Sequence, residues 1–263
     1  PIVFDETYTV TEGGTLELNN CNGGPCNVWL NDDNDGDGIV NTNDNDILQK
    51  AYVVVTPPTH GSLTCPDNAL PSPIICSDGL FVYTHDHTET PSGAGADSFT
   101  YKTNNVECDS NVGTVTFNVT PVNDVPVGVP DVYTCIEDQS ININDANGSV
   151  GTASDDGVLV NDSDPDNAVI APPNIFAGAL TAVIVTPPTH FDQAAAGGPL
   201  ALANDGTFIY FHDGVDDGNP DTFTYKTLDG NCDGLGALPC PITTVTINIT
   251  PVNDCPIGQN DTY

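Results

Sequence analysis

The sequence predicts an all-β chain of two β-sandwiches in tandem, and three observations carry that reading. Long blocks occur twice: V-T-P-P-T-H at 55–60 and 185–190, D-G-x-F-x-Y at 78–83 and 205–210, D-[ST]-F-T-Y-K-T at 97–103 and 221–227, and V-T-[FI]-N-[VI]-T-P-V-N-D at 115–124 and 245–254. A period of this kind is the signature of repeated structural units. Between the blocks lie short runs rich in Val, Thr, Ile, Phe and Tyr, bounded by Gly, Pro, Asn and Asp, as strands are. No stretch sustains the 3.6-residue period of a helix.

The expected strands of the first repeat, in order, are 7–10, 15–18, 50–56, 80–84, 98–103 and 114–120. The third is β-branched and stops at Pro57-Pro58, because proline removes a ladder donor. The last two alternate with period two: Phe99/Tyr101 and Val115/Phe117/Val119 face a core while their neighbours face water. The second repeat repeats the plan at 132–136, 140–143, 180–186, 207–211, 222–227 and 243–250. About seven short strands per repeat is the strand content of a Greek-key, immunoglobulin-like sandwich. In such sandwiches a tyrosine near the start of the sixth strand bonds back to the backbone at a corner, and Tyr101 and Tyr225 occupy that kind of position. The competing reading is that they are ordinary half-buried strand tyrosines.

One joint recurs at the beginning, middle and end of the chain. Residues 120–133 read T-P-V-N-D-V-P-V-G-V-P-D-V-Y, 250–263 read T-P-V-N-D-C-P-I-G-Q-N-D-T-Y, and 1–8 match the second half. Each places an Asn-Asp pair between prolines, a stiff extended connector carrying oxygen ligands. The domain reading is therefore 1–124, 125–254, and a tail, 255–263, that copies the first strand of a third repeat. That tail belongs either to a continuing array or to a contact with another molecule.

Composition narrows the function. Lys and Arg together number 3 against 37 Asp and Glu, so phosphate backbones and anionic bilayers are excluded as partners. No apolar run is long enough to span a bilayer, and an export signal is expected outside this sequence. Of the acidic residues 31 are Asp and 6 are Glu, a bias that suits tight loops around a hard cation better than a merely solvated coat. Nine cysteines point to an oxidising compartment. Cys21/Cys26, Cys65/Cys76 and Cys232/Cys240 each flank a turn-like loop and are the candidate disulfides; Cys108, Cys135 and Cys255 are left over, with Cys108 and Cys255 the candidates for intermolecular bridges. Asn-x-Ser/Thr sequons at Asn118, Asn147, Asn161, Asn248 and Asn260 are candidate glycosylation sites, competing with simple Asn/Thr abundance.

Taken together, Y-T-V-x-E near the start, the D-x-D-x-D loop, V-T-P-P-T-H-G, D-G-x-F-x-Y, D-S-F-T-Y and V-T-P-V-N-D-x-P resemble bacterial cadherin-like tandem repeats of secreted adhesins and surface proteins, over nearly the whole chain. The resemblance implies extracellular immunoglobulin-like modules that bind calcium at their joints. It assigns ligand roles to Asn123 and Asp124, to Asn253 and Asp254, and to the acid ahead of the first-strand tyrosine, which is Glu6, Asp131 or Asp261. The cysteines and the long loops ahead of the third strand depart from the family pattern.

The sharpest chemical motif is 33–44, D-N-D-G-D-G-I-V-N-T-N-D. It fits an EF-hand-type loop with Asp at the last ligand position: Asp33, Asp35 and Asp37 converge around Gly38, the Ile39 carbonyl adds an oxygen, and Asp44 closes the shell. Without flanking helices it resembles the loops of dockerins and thrombospondin type 3 repeats. In the second repeat D-S-D-P-D-N keeps Asp162, Asp164 and Asp166 and is expected to recruit Asn123, Asp124 and Asp131. The cofactor expected is Ca2+.

No G-x-S-x-G elbow and no Gly-rich phosphate loop is present, so the chain reads as non-enzymatic. The five His lie in or beside turns; His85-Asp86-His87 has metal-like spacing, but His212-Asp213 lacks the second His. The expected function is a calcium-stabilised extracellular structural repeat, in a long adhesin or a self-assembling surface filament, whose partners are neighbouring repeats or copies of itself head to tail. The alternative is a carbohydrate- or ligand-binding module, for which Trp29 alone offers a weak platform and whose partner is a cell-surface or glycan ligand.

Overall fold

The computed structural model of the chain describes residues 2–18, 51–64, 80–88, 93–105, 108–148, 153–168, 179–215, 218–234 and 237–253. Its described residues divide into two compact units, the first up to Val122 together with Ala168 and the second from Asn123 onward. Among the described residues no helix is long and apolar enough to cross a membrane.

The first unit contains β1 (Glu6–Thr11), β2 (Thr15–Glu17), β3 (Ala51–Thr56), β4 (Gly61–Thr64), β5 (Val82–His85), β6 (Gly93–Asn105), β7 (Cys108–Asp109) and β8 (Gly113–Thr120). One sheet runs β1-β8-β6-β3, with β7 on β6; the other runs β2-β5-β4. The first and last long strands lie parallel, Glu6 opposite Val115, and the remaining pairs are antiparallel. The chain therefore crosses between the two sheets at β1–β2, β2–β3, β3–β4 and β5–β6, an arrangement of the immunoglobulin-like sandwich kind. The second unit repeats it with β9 (Asp131–Ile136), β10 (Ser140–Ile143), β11 (Thr181–Thr186), β12 (Phe208–Phe211), β13 (Asp221–Leu228) and β14 (Ile242–Thr250), in sheets β11-β13-β14-β9 and β10-β12.

Each sandwich closes over its own core. In the first, Tyr52, Phe81, Tyr83, Phe99, Tyr101 and Phe117 are the large buried side chains; in the second, Phe208, Tyr210, Phe223, Tyr225 and Ile247 take their places. The alternation read from the sequence is the alternation observed: β8 and β13 bury every second residue. In both units the third strand slips register just ahead of its proline pair, between Val54 and Thr56 and between Ile184 and Thr186, and so ends in a bulge.

The repeated blocks meet in space. Asp97 Oδ1 accepts from the Thr59 amide and hydroxyl and from Ser98 N, while Oδ2 accepts from His60 N and the Tyr83 hydroxyl. Asp221 does the same for Thr189, Thr222, His190 and Tyr210. One buried carboxylate thus ties the P-P-T-H loop, the D-G-x-F-x-Y strand and the D-x-F-T-Y strand together. This is why the three blocks recur as a set.

The structure departs from the sequence reading in four places. β4 and β7 were not expected; each is too short to show a period. D-Q-A-A-A-G forms a helical turn, α1 (Gln193–Ala196), where the first unit has β4. Its signals were present: Asp192 accepts from the amides of Ala194 and Ala195, and Gly197 closes it at φ 76°. Tyr225 makes no local corner; its hydroxyl reaches Val158 O, 67 residues upstream.

Candidate metal-binding cluster of the second unit

The chain enters the second unit through Asn123 and Asp124, and the D-S-D-P-D-N loop folds beside them through a 3₁₀ turn at Pro165–Ala168. Proline fixes the turn, and Asp164 Oδ1 caps it by accepting from Asp166 N at 3.0 Å. Asp166 Oδ2 accepts from Asp124 N at 3.0 Å, which locks the joint to the loop. The amide of Asn123 donates to Asp124 O and to Asp229 Oδ2 at 3.0 Å. Asp229, just past β13, also accepts from Asn231 N and Cys232 N.

Four carboxylates are thereby gathered in a largely buried place: Asp164 is 6% exposed, Asp166 0% and Asp229 8%. Burial, with Asp166, Asp229 and Asp124 nearby, pushes the Asp164 carboxyl up to about 6. Burial also works against Asp229, but the donated hydrogen bonds of Cys232, Asn231 and Asn123 outweigh it and hold that carboxyl below the usual range. Two oxygens have no donor at all, Asn123 Oδ1 and Asp164 Oδ2, both buried. A buried acceptor without a partner is costly unless something positive meets it. The donor set is all oxygen, which suits a hard cation. As they stand, no three His, Cys, Asp or Glu among the described residues are close enough to hold a metal; the carboxylates are turned toward amides and would have to rotate.

Two of the expected ligands lie elsewhere. Asp162 accepts from Val129 N at 2.7 Å and from the hydroxyls of Tyr225 and Thr227, and Asp131 accepts from Asn161 and, at 3.3 Å, from Tyr225. They form a separate carboxyl pair that pins the start of β9 to β13. The D-x-D-x-D pattern is thus split, Asp162 serving Val129, Tyr225 and Thr227 while Asp164 and Asp166 serve the 3₁₀ turn and the joint.

Asp33, Asp35, Asp37, Ile39 and Asp44 lie outside the described residues, as do Asp254, Asp261, Asn260, Cys21, Cys26, Cys65, Cys76 and Cys255. Asn253 is described and exposed. Cys232 and Cys240 are bonded to each other, with Cα atoms 5.2 Å apart. Cys135 is a free, buried thiol. Cys108 lies in β7. Of the sequons, Asn118 and Asn248 lie on β8 and β14, Asn147 is exposed, and the Asn161 amide is engaged by Asp131.

Sequence reasoning missed Asp229 and two glutamates. Glu12 Oε2 accepts from Val122 N and Glu137 Oε2 from Val252 N, so each unit clips its own outgoing chain. The other oxygen of each, Oε1, is buried without a partner. The signal was available: both glutamates stand four residues after the joint tyrosine. His85 and His212 accept at Nδ1 from Gly13 N and Gly214 N, and burial lowers the pKa of His85.

The first-strand acids make the metal-free protein pH-sensitive. Burial raises Glu6 to about 7 against an accepting bond from Tyr8, and burial together with Asp162 raises Asp131 to about 7. A carboxyl whose folded pKa is raised binds its proton more tightly when folded. Its stabilising contribution is therefore complete below the unfolded value of about 4 and lost as pH rises to about 7. In chelator, Glu6→Gln is expected to flatten the decline of the first unit's melting temperature between those limits. An unchanged slope would show that Glu6 does not titrate there.

No family model matches the chain, and no curated protein matches it. Among solved structures it is similar to human mucin-like protocadherin EC1-2, at 11% identity over 95% of this chain and 98% of that one, with a TM-score of 0.45. It is also similar to human CDH23 EC21-23 (14% identity, 93% and 72% covered, TM-score 0.44) and to Drosophila N-cadherin EC1-4 (10% identity, 76% and 42% covered, TM-score 0.42). These are likenesses of fold.

Proposed function

We propose that this chain is a non-enzymatic, extracellular structural repeat protein whose second unit is stiffened by calcium held among Asn123, Asp124, Asp164, Asp166 and Asp229. The observation that carries the reading is the pair of buried, donor-less oxygens, Asn123 Oδ1 and Asp164 Oδ2, beside a nest of carboxylates. Two carboxylates about 4 Å apart repel by about 4 kcal/mol at an effective dielectric of 20, and a divalent ion removes that repulsion. The partners on this reading are neighbouring repeats or further copies of the chain, and the loop with Asp33, Asp35, Asp37 and Asp44 is a second calcium candidate.

Each independent site of affinity about 0.1–1 mM adds about 0.4–1.4 kcal/mol at millimolar calcium. Melting of the full chain is expected to rise with calcium and fall with chelator. Asp164→Asn separates the two effects of its charge: without metal the variant melts higher than wild type, because one of four carboxylates is neutralised, and its calcium shift from the second unit disappears. A full calcium shift retained in this variant would sink the assignment.

A further inference from the structure

Asp229 reaches the cluster from the start of a loop with little apolar packing to hold it. Residues 229–240 read D-G-N-C-D-G-L-G-A-L-P-C, with three glycines. Glycine loses more backbone freedom on ordering than any other residue, so such a loop is costly to fix. Among its described residues from Gly230 to Pro239 none is buried, and Leu238 is 62% exposed. Asp233 also stands at φ 60°, a conformation that a non-glycine residue keeps only when its surroundings hold it there. What ties the loop down is Cys240, 3% exposed just ahead of β14 and bonded to Cys232. Beside that bridge Asp233 accepts from Cys240 N and from Lys226. The bridge adjoins the cluster directly. The Cys232 amide donates to Asp229 Oδ1 at 2.8 Å, as Asn231 N does at 2.7 Å, while Asp229 Oδ2 accepts from the Asn123 amide at 3.0 Å. Cys232 thus carries both the sulfur tied to the head of β14 and an amide that orients a cluster carboxylate.

We infer that the Cys232–Cys240 bridge is a redox control on the calcium cluster: closed, it holds the turn that presents Asp229 to Asn123, and opened by a dithiol it releases that turn and weakens calcium binding. The inference rests on the calcium reading proposed above. Groups that orient a metal ligand without touching the metal are worth about 10–100-fold in affinity. Cys232 is partly exposed while Cys240 is buried, so an incoming thiolate meets the Cys232 sulfur. It forms a mixed disulfide there, and Cys240 leaves as a thiolate that takes up a proton. The second thiol of the same dithiol then displaces Cys232. The bridge has gained two electrons and two protons, and the dithiol has become a disulfide.

Nuclear magnetic resonance of the full chain reads the bridge and the metal separately. In chelator, the double variant Cys232→Ser with Cys240→Ser is expected to exchange the amides of Asn231 and position 232 about tenfold faster than oxidised wild type, the loss of one hydrogen bond to a charged group. Calcium titration followed at the amides of Asp124 and Asp166 is expected to show an affinity about tenfold weaker in the variant. Both are measured at a temperature where circular dichroism shows variant and wild type folded, so a change in global stability does not move them. Dithiothreitol is expected to bring wild type to the variant's values, reversibly on reoxidation, and to leave the variant unchanged. Should the variant not fold, reduced against reoxidised wild type gives the same comparison. No calcium response at these amides in oxidised wild type would sink the calcium reading and this control with it. Equal affinity with the bridge open and closed, unchanged exchange at Asn231 and position 232 in chelator, or a dithiothreitol effect as large in the variant as in wild type would each overturn the control alone.

Discussion

Asp221→Ala is expected to destabilise the second unit by about 3–5 kcal/mol, the largest single-residue effect in that sandwich. The carboxylate is 1% exposed and accepts from five donors on three segments. Alanine leaves the amides of Thr189, His190 and Thr222 facing a small apolar side chain. Each buried, unmet donor costs about 1–3 kcal/mol, moderated where the hydroxyls of Thr189 and Tyr210 can turn elsewhere. For a unit of this size the loss lowers the melting temperature by roughly 10–20 °C. Asp97→Ala is the matching change in the first unit, where the same five bonds are made. Calorimetry of the full chain reads both. A drop equivalent to less than about 1 kcal/mol would mean that water replaces the carboxylate at this corner.

Phe117→Ala is expected to cost the first unit about 3–5 kcal/mol, for a different reason. The ring is fully buried and central: it stacks on Tyr83 at a centroid distance of 3.8 Å and meets Phe81 and Phe99 at 6.1 and 5.9 Å. Truncation removes contacts with three aromatic neighbours held by two strands of opposite sheets, β5 with its lead-in and β6, so the walls cannot close on the cavity. Phe117→Leu retains most of the volume and loses less. Denaturant unfolding monitored by tyrosine fluorescence gives the two values, and equal, small losses would show that the core refills.

The candidate cluster shows how local pattern and tertiary placement divide the information. The joint residues Asn123 and Asp124 stood out because T-P-V-N-D recurs, and the loop acids because three Asp alternate. Asp229 carried no motif: its counterpart in the first repeat is Asn105, so the repeat itself concealed it. Glu12 and Glu137 did recur, but the acid ahead of the joint tyrosine drew attention instead. That acid turns into the sandwich, where Asp131 shares Tyr225 with Asp162.

The sequence by itself determined the all-β class, the two-fold repetition, which face of the long strands is buried, and the stop of the third strand at its proline pair. These are local quantities: side chains alternate with period two, and proline and glycine act on their own backbone. Only the tertiary structure decided which carboxylates share a site. Asp162 and Asp164 are two residues apart and serve different neighbours, while Asp164 and Asp229 are far apart in sequence and lie within electrostatic reach of each other. It alone decided that Asp97 and Asp221 are the knots of their sandwiches, since the five donors come from segments as far as 38 residues away. Partners of that kind are chosen by how strands stack into sheets, and the stacking is set by burial of the whole aromatic core, which no single stretch of sequence contains.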